Sequence, residues 1–465
     1  MKTSLHCDAL VAEIGSTTTL VNAFGGLRGE PRFLGQGRAA TSVDRGDVLL
    51  GLNDALDDLK EKLGVQQLQY DDYFAASSAA GGLRMSVHGL VLDMTVRAAQ
   101  AAALGAGAIV KMVTAGKMTQ SDLDALKKLH PNLILLAGGT DYGERETALH
   151  NARAVAALEL HGIPVIYAGN VQNQQEVQAL FEERGLDLSL CENVYPRLDD
   201  LNIEPARKII QKLFETHIVK APGMARVYER ITQPLMPTPG AVMEAARLLH
   251  ADLGGLVVLD VGGATTDVHS ACEQSEEVAR IQTRAEPTFL RTVEGDLGVY
   301  VNAPRLMELI GEDVLDQELD GWRTAWQGYA PVPRTPQQVA LAERLTLEAG
   351  LLALRRHAGQ IRSVFLPGGR QQIAQGKDLT PATALIATGG ALTRLPGAEG
   401  ILAQLRDMNH SRKWLWPKPG QMDILMDRHY TMASLGVLSR KWPEAALRLM
   451  HQSFEGRAHV PADRL

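Results

Sequence analysis

Apolar residues fall into short runs along this chain, and the runs switch between two periods. Residues 9–14 (ALVAEI) are apolar except for Glu13, as in a strand buried on both faces, and TLVNAFG follows a Gly-Ser-Thr turn as its hairpin partner. A third strand near Arg32–Ala40 precedes a helix over 47–63, whose leucines recur at helical spacing up to a stop at Gly64. Residues 71–82 (DDYFAASSAAGG) predict a short strand ending in small residues, followed by an alanine-rich helical region around Leu90–Leu104. From about 105 to 192 strand and helix alternate strictly: NLILLAGG, a helix closed by Gly162, IPVIYAGN, a helix closed by Gly185, then DLSLCEN. That alternation implies a parallel sheet. Residues 193–235 read as mostly helical, with prolines towards their end.

The second half restarts the first pattern. A helix over 238–255, opened by Pro239, leads into the apolar run Gly255–Leu259. A second strand and an irregular hairpin follow Asp267 as far as about Leu290. Residues 335–358 are helical, SVFLPGGR is a strand and turn, and 381–397 is a strand opening on Gly389-Gly390. The last helix expected lies around Tyr430–Lys441. The whole reads as an α/β protein of two related lobes, 1–94 and 236–465, with an α/β and helical module, 95–235, inserted in the first.

Chemistry concentrates where the pattern repeats. Laying LDVGGATTDVHS (259–270) over VAEIGSTTTLVNAF (11–24) puts Glu13 on Asp260, Gly15 on Gly262, Thr18 on Thr265 and Thr19 on Thr266. In each copy a strand delivers a carboxylate at its end, and glycine lets the backbone turn without a Cβ in the way. The N–H groups and hydroxyls of Gly15, Ser16, Thr17, Thr18 and Thr19, and of Gly262, Gly263, Ala264, Thr265 and Thr266, are then candidates for an anion-binding concavity. A carboxylate beside a polyphosphate needs a cation between them, which implies Mg²⁺ near Glu13, Asp260 and Asp267, held largely through water. Strand propensity alone accounts for threonines in one hairpin; two copies in matching register favour a nucleotide clamp of ATP or ADP.

Bulk composition narrows the class. At 465 residues the chain is long enough for two or three domains. A net charge of −7, without a basic block, gives no reason to expect nucleic acid. Cys7, Cys191 and Cys272 form no CxxC pair, so a zinc ribbon is not expected and a reduced cytoplasmic location fits. No run has the length of a membrane span, and the N-terminal apolar stretch is too short for a signal peptide.

The paired turns resemble the two phosphate motifs of the actin, heat-shock chaperone and sugar-kinase ATPase superfamily, and IATGGALT (386–393) is similar to its adenosine-contacting strand. The resemblance implies two ribonuclease H-like lobes around a nucleotide cleft, with Asp260 and Glu13 as catalytic carboxylates and Gly389 and Gly390 near the nucleoside. It also implies that the helices at 238–250 and 430–441 form the hinge between lobes. More closely, SSAAGGLRM, LLAGGTDYG, LDVGGATTDVHS, RTVEGDLG, GKDLT and MASLGVL resemble the glutamate mutase L (GlmL/MutL) family. That resemblance implies a reactivating ATPase whose partners are the subunits of an adenosylcobalamin-dependent mutase or aminomutase; a homo-oligomer is compatible with it. Two positions depart from the superfamily pattern. Its first carboxylate is usually aspartate, and Glu13 reaches about 1.5 Å further; Leu20 stands where a lysine is usual. Nucleotide binding is thus a firmer expectation than turnover.

Other motifs stay open at this level. TVEGDLG places Gly295 at an expected helix start, where its acidic neighbours serve either the helix terminus or a nucleotide. AGGTDYG (137–143) and SSAAGG (77–82) both compete as the first-lobe counterpart of the adenosine strand, although small residues needed where a helix crosses the sheet are the preferred account of either. The histidines show no HxxxH or HxH spacing. A small-molecule kinase on the same fold and a nucleotide-gated scaffold with little hydrolysis are the alternatives. An iron–sulfur activator is disfavoured by the missing cysteine pair.

Overall fold

The computed structural model describes residues 2–42, 46–78, 83–104, 106, 108–198, 200–219, 223–282, 286–366, 369–410 and 413–455. The chain opens with β1 (Lys2–Ile14), β2 (Thr18–Gly25), β3 (Arg32–Ala40) and β4 (Val65–Ser77). It continues through β5 (Leu83–Gly89), β6 (Ala108–Ala115), β7 (Leu133–Leu136), β8 (Val165–Tyr167) and β9 (Leu188–Leu190). After β10 (Met236–Pro237) come β11 (Leu256–Val261), β12 (Thr266–Ala271), β13 (Phe289–Glu294), β14 (Gln360–Leu366), β15 (Gly369–Gln375), β16 (Ala384–Thr388) and β17 (Asp423–Met426).

Two of the sheets share one plan. The first has the order β3-β2-β1-β4-β10, the second β13-β12-β11-β16-β17. In both, the leading strand pairs antiparallel with the next one and parallel with a later one: β1 with β2 and β4, β11 with β12 and β16. Two five-stranded sheets of order 3-2-1-4-5 are the two ribonuclease H-like lobes of the actin-like fold. The register also identifies the first-lobe counterpart of the adenosine strand: β4 lies beside β1 as β16 lies beside β11, whereas β7, which leads into AGGTDYG, belongs to another sheet. The small residues that follow β4, at 79–82, lie outside the described residues.

Alternation along the strands sets what each face meets. Ala9 and Val11 of β1, Leu256 and Val258 of β11, and Leu425 of β17 all face one core shared by the two lobes. The helices Thr238–Leu253 and Met432–Leu438 sit in that core and cross at Gly436, where a Cβ would lie 1.8 Å from the carbonyl oxygen of Ala241. Only glycine permits so close an approach of two backbones.

By density of contacts the chain divides into two compact units, one of Met1–Gly81, Ile218–Thr292 and Leu297–Leu465, the other of Gly82–His217 with Val293–Asp296. The first contains both lobes. The second holds the all-parallel sheet β6-β5-β7-β8-β9 over a core that includes Leu126, Ile134, Tyr167 and Phe181.

One expected element is corrected. Residues 292–298 do not start a helix: β13 runs to Glu294, Gly295 and Asp296 form a turn, and the next helix begins at Ala303. Thr292, Val293 and Glu294 prolong a strand beside β12, and that pairing overrides the helix-start signal of the acidic residues.

Candidate functional site

The two hairpin turns are wired alike. Gly15 N–H donates to the Thr18 carbonyl at 3.0 Å, and Gly262 N–H to the Thr265 carbonyl at 2.9 Å. Residues 15–18 and 262–265 are all partly exposed, while Thr19 and Thr266 are buried. A neighbouring segment holds each turn by its carbonyls. Thr41 donates its N–H to Thr17 and its hydroxyl to Gly15. In the other lobe Val299 N–H donates to Gly262, Tyr300 and Val301 N–H groups to Gly263, and the Asn302 amide to Ala264. With the carbonyls taken up behind, the N–H groups of Ser16, Thr17, Gly263 and Ala264 find no acceptor among the described residues. That is an arrangement suited to an anion.

The turns also meet. A Cβ on Gly263 would lie 3.1 Å from Thr17 Oγ1 and 3.2 Å from its Cγ2. The hydroxyls of Thr19 and Thr266 are committed inside the fold, to Thr41 Oγ1 at 2.9 Å and to the Leu297 carbonyl at 2.7 Å. Ser16 Oγ donates to the Ser78 carbonyl at 3.0 Å. Among the described residues that leaves Thr17, Thr18 and Thr265 as the turn threonines whose hydroxyls are not committed inside the fold.

Strand periodicity delivers the carboxylates. Glu13 continues the row Ala9–Val11, Asp260 the row Leu256–Val258, and Asp427, one residue beyond β17, follows Leu425. All three strand ends thus emerge from the shared core on the same side of their sheets. Asp267 lies directly across the ladder from Asp260 and shares its face, and it is buried.

The environments of these carboxylates differ. Glu13 is buried and tied down: Ser434 donates both its hydroxyl and, at 2.9 Å, its N–H to Oε1. Asn22 in turn donates to Ser434 Oγ at 2.8 Å. Burial pushes the Glu13 carboxyl up to about 7; the Ser434 hydroxyl opposes this, and the charges of Asp427 and Asp260 add to it. Asp260 is partly exposed and also raised to about 7, by lost hydration first and the Asp427 charge second. Asp427 accepts from Thr388 Oγ1 at 2.9 Å and from the Thr431 and Met432 N–H groups at 2.8 Å, capping the helix that carries Ser434. Tyr430 is held at φ 53°, and its phenol is raised well above the usual range by burial and then by the charges of Asp260, Glu13 and Asp427.

Gly389 stands against this group. It has φ 85°, and a Cβ there would fall 2.3 Å from Asp260 Oδ1. Gly390 opens the short helix that follows β16. The glycine pair of the second lobe is thus beside the carboxylate of its own turn. Gly295 clusters with the other compact unit.

The donor chemistry suits a hard cation. The neighbours that shift Glu13 and Asp260 are Ser434 and other carboxylates, with no lysine or arginine among them. Among the described residues no group of three or more His, Cys, Asp or Glu side chains is placed to hold a metal ion between them.

The sequence reading missed Asp427, Ser434, Thr388 and Tyr430. A usable signal was present for Asp427: ILMD is an apolar run ended by a carboxylate, as are LVAE and VVLD. GKDLT, by contrast, is a structural staple. Buried Lys377 donates to the carbonyls of Cys272, Pro287 and Thr288, and Asp378 accepts from Ser275 and Thr380.

A doubled 3-2-1-4-5 sheet with a carboxylate-and-glycine turn in each half defines an actin-like ATPase fold. Comparison with known proteins makes the assignment specific. The model of the MutL protein family matches residues 9–454. Protein MutL of Clostridium tetanomorphum is 35% identical over 463 residues, covering 95% of this chain and 98% of that protein. The chain belongs to the MutL family. Solved structures found similar include glycerol dehydratase reactivase, at 12% identity and TM-score 0.34 over 93% of this chain and 99% of that one. The ethanolamine utilization protein EutJ of Carboxydothermus hydrogenoformans gives 12% and 0.31, over 94% and 88% of the two chains. Component A of the Acidaminococcus fermentans (R)-2-hydroxyglutaryl-CoA dehydratase gives 8% and 0.30, over 94% and 98%. No described helix is long and apolar enough to cross a membrane.

Proposed function

We infer that the protein binds ATP and ADP between its paired turns and uses the exchange between the two states to reactivate an adenosylcobalamin-dependent mutase of the glutamate mutase or aminomutase type. The observation that carries this reading is the convergence in one unit of two identically wired turns, Thr17 against Gly263, with Glu13, Asp260 and Asp427 beside them. The amides of Ser16, Thr17, Gly263 and Ala264 donate to the phosphates from both lobes, and Gly389 and Gly390 flank the nucleoside. Asp260, with Glu13 and Asp427 acting through water, would hold Mg²⁺, which neutralises phosphate charge when bound. Asp260, partly exposed at its turn, is the carboxylate assigned to orient the attacking water and accept its proton.

Radical chemistry on adenosylcobalamin occasionally loses the adenosyl group and leaves damaged cofactor in the mutase. Opening the mutase for exchange requires that it bind the ATP and ADP states unequally. The inserted α/β module is the proposed docking element, and the cytoplasm the proposed compartment. One specific observation favours a second reading, a nucleotide-gated scaffold with slow turnover: the Glu13 carboxylate is engaged by Ser434.

Two measurements test the proposal. Calorimetric titration with ADP and Mg²⁺ should show binding to the wild type and a marked loss with Asp260→Ala. Mutase inactivated by turnover should recover on adding this protein, ATP, Mg²⁺ and fresh coenzyme. No recovery with the mutase of the same organism refutes the reactivation role; recovery with a non-hydrolysable ATP analogue would select the scaffold.

A further inference from the structure

Strand β3 brings a charge to the site that the fold itself does not use. Gly35 and Gly37 lie against the helix Val48–Leu63: a Cβ on Gly37 would fall 1.9 Å from the Ala55 carbonyl oxygen, and one on Gly35 3.1 Å from Leu63 Cδ2. Alternation then sends Gln36 and Arg38 to the opposite face of the sheet. That is the face of Glu13. Gln36 stands opposite Asn22 and Arg38 opposite Leu20, while Asn22 and Leu20 stand opposite Val11 and Glu13. Glu13, Leu20 and Arg38 thus form one row over three adjacent strands. The row lies two residues from Ala40, whose partner is Thr18 of the first turn.

Two arginines flank this face, and their partners differ. The Gln36 amide donates to Asn22 Oδ1 at 2.9 Å and to the His429 and Tyr430 carbonyls at 3.2 Å, and Gln36 Oε1 accepts from Arg394 at 3.2 Å. Arg394 ends the short helix that Gly390 opens, so it is spent on joining β3 to the second lobe. Arg38 is exposed, and only its backbone is engaged, with the N–H donating to Asp58 at 2.6 Å. Among the described residues its guanidinium has no hydrogen-bond or ion-pair partner. Apolar Leu20 stands between it and Glu13, whose carboxylate is already held by Ser434.

The field at Tyr430 places that guanidinium near the site. The phenol is raised by the charges of Asp260, Glu13 and Asp427, and Arg38 acts on the same phenol in the opposite sense. Arg38 therefore lies within reach of the carboxylate group while pairing with none of its members. A polyphosphate entering beside three carboxylates needs more positive charge than turn amides supply, and Mg²⁺ offsets only part of it. A guanidinium adds a full charge and a planar fork that matches two phosphate oxygens at once. We propose that Arg38 is a phosphate-binding residue of the nucleotide site, reaching over Leu20 from β3 to the phosphates held by the paired turns. This assignment rests on the nucleotide binding proposed above and adds to it a cation from the edge of the first lobe.

Calorimetric titrations of the full chain with ADP and with ATP, each with Mg²⁺ and over a range of NaCl concentrations, test it. Arg38→Ala should bind both nucleotides about 10- to 100-fold more weakly than wild type, the loss expected for hydrogen bonds between charged groups. Its melting temperature should not change, because the side chain is exposed and holds nothing in the fold. Removing the charge should also flatten the fall of ADP affinity with added salt. Arg38→Lys, which keeps the charge without the fork, should recover part of the loss, and Arg38→Glu should lose more than Arg38→Ala. Wild-type affinities in Arg38→Ala overturn this inference and leave the proposed function standing. A weakened Arg38→Ala that keeps the wild-type salt dependence also overturns it, since that outcome marks a structural role. Absence of ADP and ATP binding by the wild type overturns both.

Discussion

The two lobes repeat one scaffold and differ at the atoms that matter. In the first, the strand-end carboxylate is Glu13, buried and gripped by Ser434 from the helix Met432–Leu438. In the second it is Asp260, partly exposed and pressed only by lost hydration and a neighbouring charge. Across the ladder, Leu20 faces Glu13 where Asp267 faces Asp260. The longer glutamate reaches the helix and becomes a brace; the shorter aspartate stays at the turn. The paired amides are common to both lobes and the carboxylates differ, so under the proposed function anchoring falls to Glu13 and chemistry to Asp260.

The largest effect that can break this division is on turnover. Asp260→Ala should lower ATP hydrolysis by at least about 100-fold, as expected when a general base is removed. Glu13→Gln, whose amide oxygen still accepts from Ser434, should lower it by less than about 10-fold. Equal losses in steady-state assays would mean that both carboxylates act on the nucleotide. Next comes Gly389→Ala. An alanine at φ 85° with its Cβ 2.3 Å from Asp260 Oδ1 should cost on the order of 1–3 kcal/mol and displace Asp260, seen as lower melting temperature together with weaker nucleotide binding.

Stability should order the two carboxylates oppositely. Glu13→Ala leaves the Ser434 hydroxyl and N–H without their acceptor and should cost about 1–3 kcal/mol in thermal melts. For Asp260 and Glu13, raised from 3.8 and 4.5 to about 7, the folded state binds more protons than the unfolded one between those limits. Stability of the nucleotide-free protein should therefore fall as pH rises from about 4 to about 7. Asp260→Asn should flatten that slope and raise the melting temperature at pH 8 more than at pH 5; Mg²⁺ should do the same for wild type. The smallest effect tests whether the turns touch. A double-mutant cycle of Gly263→Ala with Thr17→Ala, read in ADP affinity, should show coupling of roughly 0.5–1 kcal/mol, and additivity would separate the lobes at this point.

How legible the site was depended on which signal each residue carried. Glu13 and Asp260 stood out because glycines and threonines flank them in a repeated register. Asp427 carries no such flank and ends a four-residue strand, yet the same alternation brings it to the same place. Thr19 and Thr266 read as equals of their neighbours, because sequence does not show that Thr41 and the Leu297 carbonyl claim their hydroxyls. The insert's β–α alternation was evident over 105–192, but β5 was hidden. Ser86 and His88 are buried in it, and buried polar residues break the apolar run by which a central strand is recognised.

Gly436 has a mechanical meaning. Where it passes Ala241 the two crossing helices bear on each other main chain to main chain, with no side chain interposed to be repacked when they turn. A contact of that kind cannot be pressed closer, so it fixes the separation of the two helix axes. Because Ser434 rides on the same helix two residues earlier, any rotation there is felt at once by the brace on Glu13.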